Sequence, residues 1–286
     1  MPEGDTVWRT AQRLDQALSG RLLTKSDFRV PQWSEVDLTG QEVVETVSRG
    51  KHLLTRLAKL TLHTHLKMEG SWHIYRHGSR WRSPAFQARV VLANDQWQAV
   101  GFRLGEVELV ERAREGDVVG HLGPDLLGAD WSLEEALDRL RAVPQRPLGE
   151  ALLDQRNLAG IGNMYKAEVC FVSGMHPQTR VEDVAELPAL VERARTMLAT
   201  NKERAQQSTT GDLRRGKSLW VYARAGQPCR RCGTKIRSTT FSELPLGAAA
   251  IAGATAPDQD RSRSSYWCPS CQPPPEGRNA ISETST

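Results

Sequence analysis

The chain has 286 residues and a mass of 31.8 kDa, which at roughly 150 residues per domain allows about two domains and a sizeable core. Hydrophobic residues at 39% and charged residues at 25% fit a globular protein, and no apolar run approaches the roughly 18 residues of a membrane span. The opening MPEGDTVWRT has no apolar stretch of the kind a secretion signal needs, so a cytosolic monomer is expected. The net charge of +4 is unevenly placed. Residues 201–263 hold 12 Lys/Arg against 5 Asp/Glu, a local +7, while the remainder holds 26 against 29, or −3. Such a basic segment suits a polyanionic partner, the plain alternative being a solvated surface of mixed charge.

Val7, Ala11, Leu14 and Leu18 recur at helical spacing, which predicts an amphipathic helix over 5–19 closed by Gly20. From there to about residue 120 the pattern changes to short β-branched or aromatic runs, among them EVVETVS, HLLTRLA, TLHTHLK, ARVVLAN and GEVELVE, separated by turns such as SRGK and RHGS. This predicts an antiparallel sandwich or barrel. His63 and His65 alternate on one strand face, but no third ligand lies near them in the chain, so they are not read as a metal site. Asp130 is expected to cap a helix in WSLEEALDRLRAV, and further helical patterns make 131–205 helical. Short strands surround the cysteines from Trp220 onward. The Ala/Gly-rich stretch 242–260 is expected to be mobile, and the tail after Cys271 disordered.

Four of the five cysteines form two C-x-x-C knuckles, Cys229/Cys232 and Cys268/Cys271. Four thiolates in this pattern predict one tetrahedral Zn²⁺, in a closed structural site because no group suited to activating water lies within the motif. The 35 residues between the knuckles exceed the usual 15–20 or so by nearly the length of 242–260, which reads as an insertion at the tip of a zinc-ribbon hairpin. Cys170 is expected to be buried in a helix.

Pro2 follows an initiator Met that is normally removed before a small residue, which would expose a secondary amine. With a reference pKa of about 7.7–8.0, roughly a tenth of such an amine is unprotonated near pH 7, so it can attack an aldehyde carbon to give an iminium. Glu3 beside it can pass protons if partial burial raises its pKa. On its own a Met-Pro-Glu start more often carries no chemistry.

MPEGDTV at the start, SRGKHL at 48–53, HLKMEG at 65–70, LLDQRNLAGIGNMYKAEVCF at 152–171, WVYARAGQPCRRCGTKI at 220–236 and RSSYWCPSCQ at 263–272 together resemble the Fpg/Nei family of DNA glycosylases. The PEG opening is most similar to an actinobacterial Nei-type member. The resemblance implies an α+β multidomain fold: a β-sandwich catalytic domain over 1–121, a helix-two-turn-helix domain over 131–219, a zinc finger over 220–272 with the inserted loop, and a tail over 273–286. It implies a bacterial, nucleoid-associated protein acting on damaged DNA, duplex or single-stranded.

Carried over residue by residue, the resemblance makes Pro2 the nucleophile at sugar C1′, Glu3 its acid/base partner and Lys51 a contact to the phosphate flanking the lesion. Asn163, closing GIGN before a helix, and Arg263, five residues before Cys268, would hold phosphates. Glu168 matches a position near the active centre, a plain exposed helix glutamate being the alternative. Met68 matches the residue that fills the void left by an everted base. Where the 8-oxoguanine branch has Arg-x-Phe-Gly, this chain has Phe102-Arg103-Leu104-Gly105, so Phe102 and Leu104 stand at the wedge positions, with core packing the equal alternative. Thr6 replaces a family carboxylate; either Asp5 compensates or base excision is altered relative to strand cleavage. The implied function is a bifunctional glycosylase/AP lyase favouring oxidised pyrimidines and cleaving by β,δ-elimination. The alternatives are a non-catalytic damaged-DNA-binding protein on the same fold and, less well matched, an RNA-binding zinc ribbon.

Overall fold

The computed structural model describes residues 2–240 and 264–275. Two compact units emerge, one of 1–136 with 155–161 and 198–205, the other of 137–154, 162–197 and 206–286.

The first unit opens with α1 (Gly4–Leu18), whose Val7, Ala11, Leu14 and Leu18 form the buried stripe that the spacing predicts. Burying each large apolar side chain is worth about 1.5–3 kcal/mol. The helix stops at Ser19, and Gly20 takes the left-handed conformation at φ 72° that glycine adopts without penalty. Nine strands follow: β1 (Arg21–Leu22), β2 (Lys25–Phe28), β3 (Glu42–Arg49), β4 (His52–Leu57), β5 (Leu60–His65), β6 (Ser71–Arg76), β7 (Ala88–Ala93), β8 (Trp97–Phe102) and β9 (Glu106–Glu111). A short α2 (Gly116–Val119) comes after them.

They form two antiparallel sheets, in the orders β1-β3-β4-β5-β9 and β2-β7-β8-β6. Strand alternation sends Leu53, Leu57, Leu62 and Val107 from the first sheet and Val90, Leu92, Ala99 and Trp72 from the second into one core shared with α1. The second sheet is also covered on its other face. There Ala88, Val91, Val100 and Phe102 form a smaller core with Tyr75 and Trp81, the indole of Trp81 being fixed by Gln98 at 2.7 Å.

The second unit is built on the larger part of α3 (Leu133–Arg141), on α4 (Leu148–Leu153) and α5 (Asn163–Val172), and on the larger part of α6 (Leu187–Asn201), followed by the antiparallel pair β10 (Arg237–Thr240) and β11 (Ser264–Trp267). All residues of α5 from Asn163 to Phe171 are buried, polar ones included. The expected Asp130 cap is not formed. Ser132 Oγ accepts the N–H of Glu135 at 3.2 Å instead, and Asp130 is drawn off to Arg49, 2.7 Å away. The 242–260 stretch and residues 276–286 lie outside the described residues. Among the described residues no helix is long and apolar enough to cross a membrane.

Candidate functional site

Pro2 and Glu3 lie at the N-terminal end of α1, where the helix dipole is positive. Glu3 is buried, 1% exposed, and starts the helix through its carbonyl, which accepts the N–H of Val7 at 3.0 Å. Gly4 anchors the pair: its N–H donates to the carbonyl of Gly160 at 2.8 Å, and a Cβ on Gly4 would lie 2.9 Å from Gly160 Cα. Gly160 itself has φ 105°, a conformation costly for any side-chain-bearing residue. Glycine is therefore required on both sides of this contact.

The half-buried Lys51 is carried by a turn that leans on the same segment. Gly50, at φ 58°, packs where a Cβ would meet Ala159 Cβ at 3.0 Å, and its N–H donates to the buried carboxylate of Asp125 at 2.7 Å. The other oxygen of Asp125 accepts the N–H of Leu127 at 3.0 Å; burial nevertheless pushes this carboxyl above its ordinary pKa. Arg49 completes the brace through Asp130 and the carbonyl of Gly123 at 3.1 Å. Sequence reading passed over Asp125 and Asp130 as functional residues, since each supports a turn some 75 or more residues away in the chain.

In the second unit Asn163 begins α5 and is 8% exposed. Its Nδ2 donates to the carbonyl of Ser264 at 2.8 Å, while its buried Oδ1 has no hydrogen-bond partner among the described residues. Glu168 is not the exposed glutamate offered as its alternative. It is fully buried, and its carboxylate accepts the N–H groups of Trp220, Val221 and Tyr222 at 2.7, 2.8 and 2.9 Å, together with the Thr209 hydroxyl. It thus fixes the chain entering the cysteine region.

The four cysteines converge as their spacing requires. One sulfur from each lies within 4.8 Å of the others, with Cys232–Cys268 at 3.4 Å and Cys229–Cys271 at 3.9 Å. Tetrahedral Zn–S bonds of about 2.3 Å place sulfurs about 3.8 Å apart, so this set could hold a zinc ion. Backbone N–H of Arg231 already points at Cys229 Sγ, and Gly233, at φ 80°, closes the first knuckle. Cys170 is buried, its thiol pushed up to about 12 by desolvation.

Comparison with known proteins decides the family. Residues 1–120 match the formamidopyrimidine-DNA glycosylase N-terminal domain and residues 122–211 the formamidopyrimidine-DNA glycosylase H2TH domain. The chain is 50% identical to a probable endonuclease 8 2 of Streptomyces coelicolor, covering 98% of this chain and 99% of that protein. It is 46% identical to the DNA-(apurinic or apyrimidinic site) lyase Nei2 of Mycolicibacterium smegmatis, covering 95% of this chain and 99% of that protein.

The chain belongs to the formamidopyrimidine-DNA glycosylase/endonuclease 8 family.

Among solved structures, Lactococcus lactis formamidopyrimidine-DNA glycosylase, described as bound to DNA containing an AP site, superposes with a TM-score of 0.73 at 19% identity, over 95% of this chain and all of that one. The expected α+β architecture of β-sandwich, helical H2TH domain and cysteine cluster is borne out, as is the likeness to actinobacterial endonuclease 8 proteins.

Among the residues expected from the family pattern to meet the base stack, Met68 is 60% exposed and follows Lys67, which has φ 49°. For Phe102 and Leu104, the burial matches the core-packing alternative. They are 1% and 6% exposed, Phe102 packed edge-on to Trp81 at 5.8 Å and Leu104 within the main core, so neither is presented as a wedge. The exposed member of that loop is Arg103, at φ 47°, which lies 3.5 Å from Glu69 and so links the two loops. Arg263 lies outside the described residues.

The histidines also differ from expectation. Register pairs His52 with His65 and His65 with Glu106, and in the next row of the same face Leu54 with His63 and His63 with Glu108. His52 Nδ1 lies 2.8 Å from His63 Nε2, and one donor atom each of His52, His63 and Glu106 fall within 4.8 Å of one another. Burial, reinforced by the neighbouring imidazoles, pushes His52 down to about 2, and burial also lowers His63.

Proposed function

We propose that this protein is a DNA glycosylase and AP lyase that removes oxidised bases, pyrimidines before purines, and then cleaves the abasic strand. The observation that carries the reading is the joint support of the Pro2–Glu3 end of α1 and the Lys51 turn by the consecutive residues Ala159 and Gly160. A nucleophile and a phosphate ligand held on one backbone segment is what attack at a sugar carbon requires, because small misplacements cost large factors in rate.

With Met1 removed, the Pro2 nitrogen attacks C1′ as the base departs with a proton supplied from Glu3. Ring opening gives an iminium between Pro2 and C1′. Loss of a C2′ proton then expels the 3′ phosphate, and a second elimination expels the 5′ phosphate, leaving the sugar fragment for hydrolysis from Pro2. Lys51, Asn163 and Arg263 hold the flanking phosphates, and Met68 fills the vacated stack. One Zn²⁺ on Cys229, Cys232, Cys268 and Cys271 has a structural role, and damaged DNA is the partner of a monomer working in the cytoplasm. The names of the relatives, endonuclease 8 and DNA-(apurinic or apyrimidinic site) lyase, support the reading.

The test is nicking of an abasic duplex and excision from a panel of oxidised pyrimidines and purines by zinc-loaded protein. Nicking with preference for pyrimidine lesions is expected, with affinity falling steeply as salt rises. Tight binding without nicking would assign the chain to non-catalytic damage binding.

A further inference from the structure

We propose that the outer face of the five-stranded sheet carries a second metal site, in which His52, His63 and Glu106 hold one divalent cation of the zinc type. Three adjacent strands, β4, β5 and β9, supply one ligand each, and strand register sets their spacing. Two imidazole nitrogens and one carboxylate oxygen form a donor set suited to Zn²⁺, Ni²⁺ or Cu²⁺ and unsuited to Ca²⁺ or Mg²⁺, which take oxygen ligands. A fourth position is left for water, as in three-ligand zinc sites.

Orientation of the rings supports this assignment. Glu108 lies 3.4 Å from His63 Nδ1 and so fixes the proton on that nitrogen, leaving the lone pair on Nε2 directed at His52. A carboxylate behind a ligating histidine in this manner is the usual outer support of a metal site. With the His63 proton on Nδ1, His52 Nδ1, which lies 2.8 Å from His63 Nε2, is the donor of that pair in the metal-free protein. Binding an ion with bonds of about 2.0–2.1 Å needs the two nitrogens about 3.3 Å apart, an opening of roughly 0.5 Å, and moves the His52 proton from Nδ1 to Nε2 with no net proton released.

The remaining neighbours are compatible with a cation. Lys67 Nζ sits 2.7 Å from Glu106, so a positive charge already occupies that carboxylate and the metal would take its place. His65 and His121 border the site, with ring centres 4.9 and 6.2 Å from that of His52, and Glu108 adds a second negative charge. The cluster is separate from the cysteine set in residues and in donor chemistry, so one chain would hold two metals.

Full-length protein with its cysteines loaded by one equivalent of Zn²⁺ is titrated with Co²⁺ and followed by visible absorption and calorimetry. The expected result is a second equivalent whose spectrum lacks thiolate-to-cobalt charge transfer. Its affinity should fall at least tenfold in His52→Gln, His63→Gln and Glu106→Gln, and about tenfold in Glu108→Gln. Glu106 and Glu108 are partly exposed, so these two variants test the site even if a histidine variant folds poorly. A stoichiometry of one metal per chain, a second equivalent with a thiolate signature, or one unaffected by the carboxylate variants would overturn the proposal.

Discussion

Gly4 and Gly160 meet backbone to backbone, with the Gly4 N–H on the Gly160 carbonyl at 2.8 Å and no room for a methyl group between them. Because a Cβ on Gly4 would strike backbone rather than a yielding side chain, Gly4→Ala should cost about 1–3 kcal/mol in denaturant unfolding. The displacement falls on the start of α1, so single-turnover nicking of abasic DNA should drop at least tenfold even where the variant is fully folded. Unchanged nicking would separate this contact from function.

Glu168 should behave as a structural anchor. Both of its oxygens accept hydrogen bonds, so in Glu168→Gln the amide NH₂ must face a backbone N–H wherever it is placed. A loss of about 2–4 kcal/mol is expected in chemical denaturation, since buried donors are left unpaired. Metal stoichiometry at the cysteines should persist in the folded variant.

Phe102 and Met68 should separate stability from DNA contact. Phe102→Ala removes a fully buried ring and should cost about 3–5 kcal/mol. Met68→Ala, at an exposed position, should stay within about 0.5 kcal/mol of the parent while weakening binding to lesion duplexes relative to undamaged DNA. Equal stability losses in the two variants would contradict these placements.

Much of this fold is readable from the chain because a strand such as GEVELVE turns Val107 and Leu109 to the core and Glu106 and Glu108 outward, which writes a period of two, and because the knuckle spacing is itself the metal geometry. Phe102 was ambiguous for a physical reason: its sheet is covered on one face by the main core and on the other by the Trp81 segment, so alternation carries no information there. The His52, His63 and Glu106 cluster is invisible to spacing since register across three strands creates it. The basic count near the cysteines also overstates the free charge. Arg224 turns inward to the carbonyls of Trp220 and Pro228, and Arg230 to those of Leu219 and Gly216, so part of the local +7 braces the chain.

Acid sensitivity should trace in part to Glu115. Burial raises its pKa, but hydrogen bonds from Arg56 and Thr61 outweigh burial and hold the carboxyl below its ordinary value. A depressed carboxylate contributes its full stability above the unfolded pKa of about 4.3 and loses it as pH falls through the lower folded value. Stability should therefore decline on acidification below about pH 4.5, and the decline should be shallower in Glu115→Gln.

The central claim is that Pro2 forms a covalent iminium with the sugar, and borohydride trapping on abasic DNA tests it most directly. Reduction should fix the protein to the DNA, with mass spectrometry locating the sugar remnant on the peptide beginning at Pro2. Protein whose Pro2 is blocked by a retained Met1 should give no adduct and no nick. An adduct mapped to another residue, or nicking that survives the block, would contradict the account.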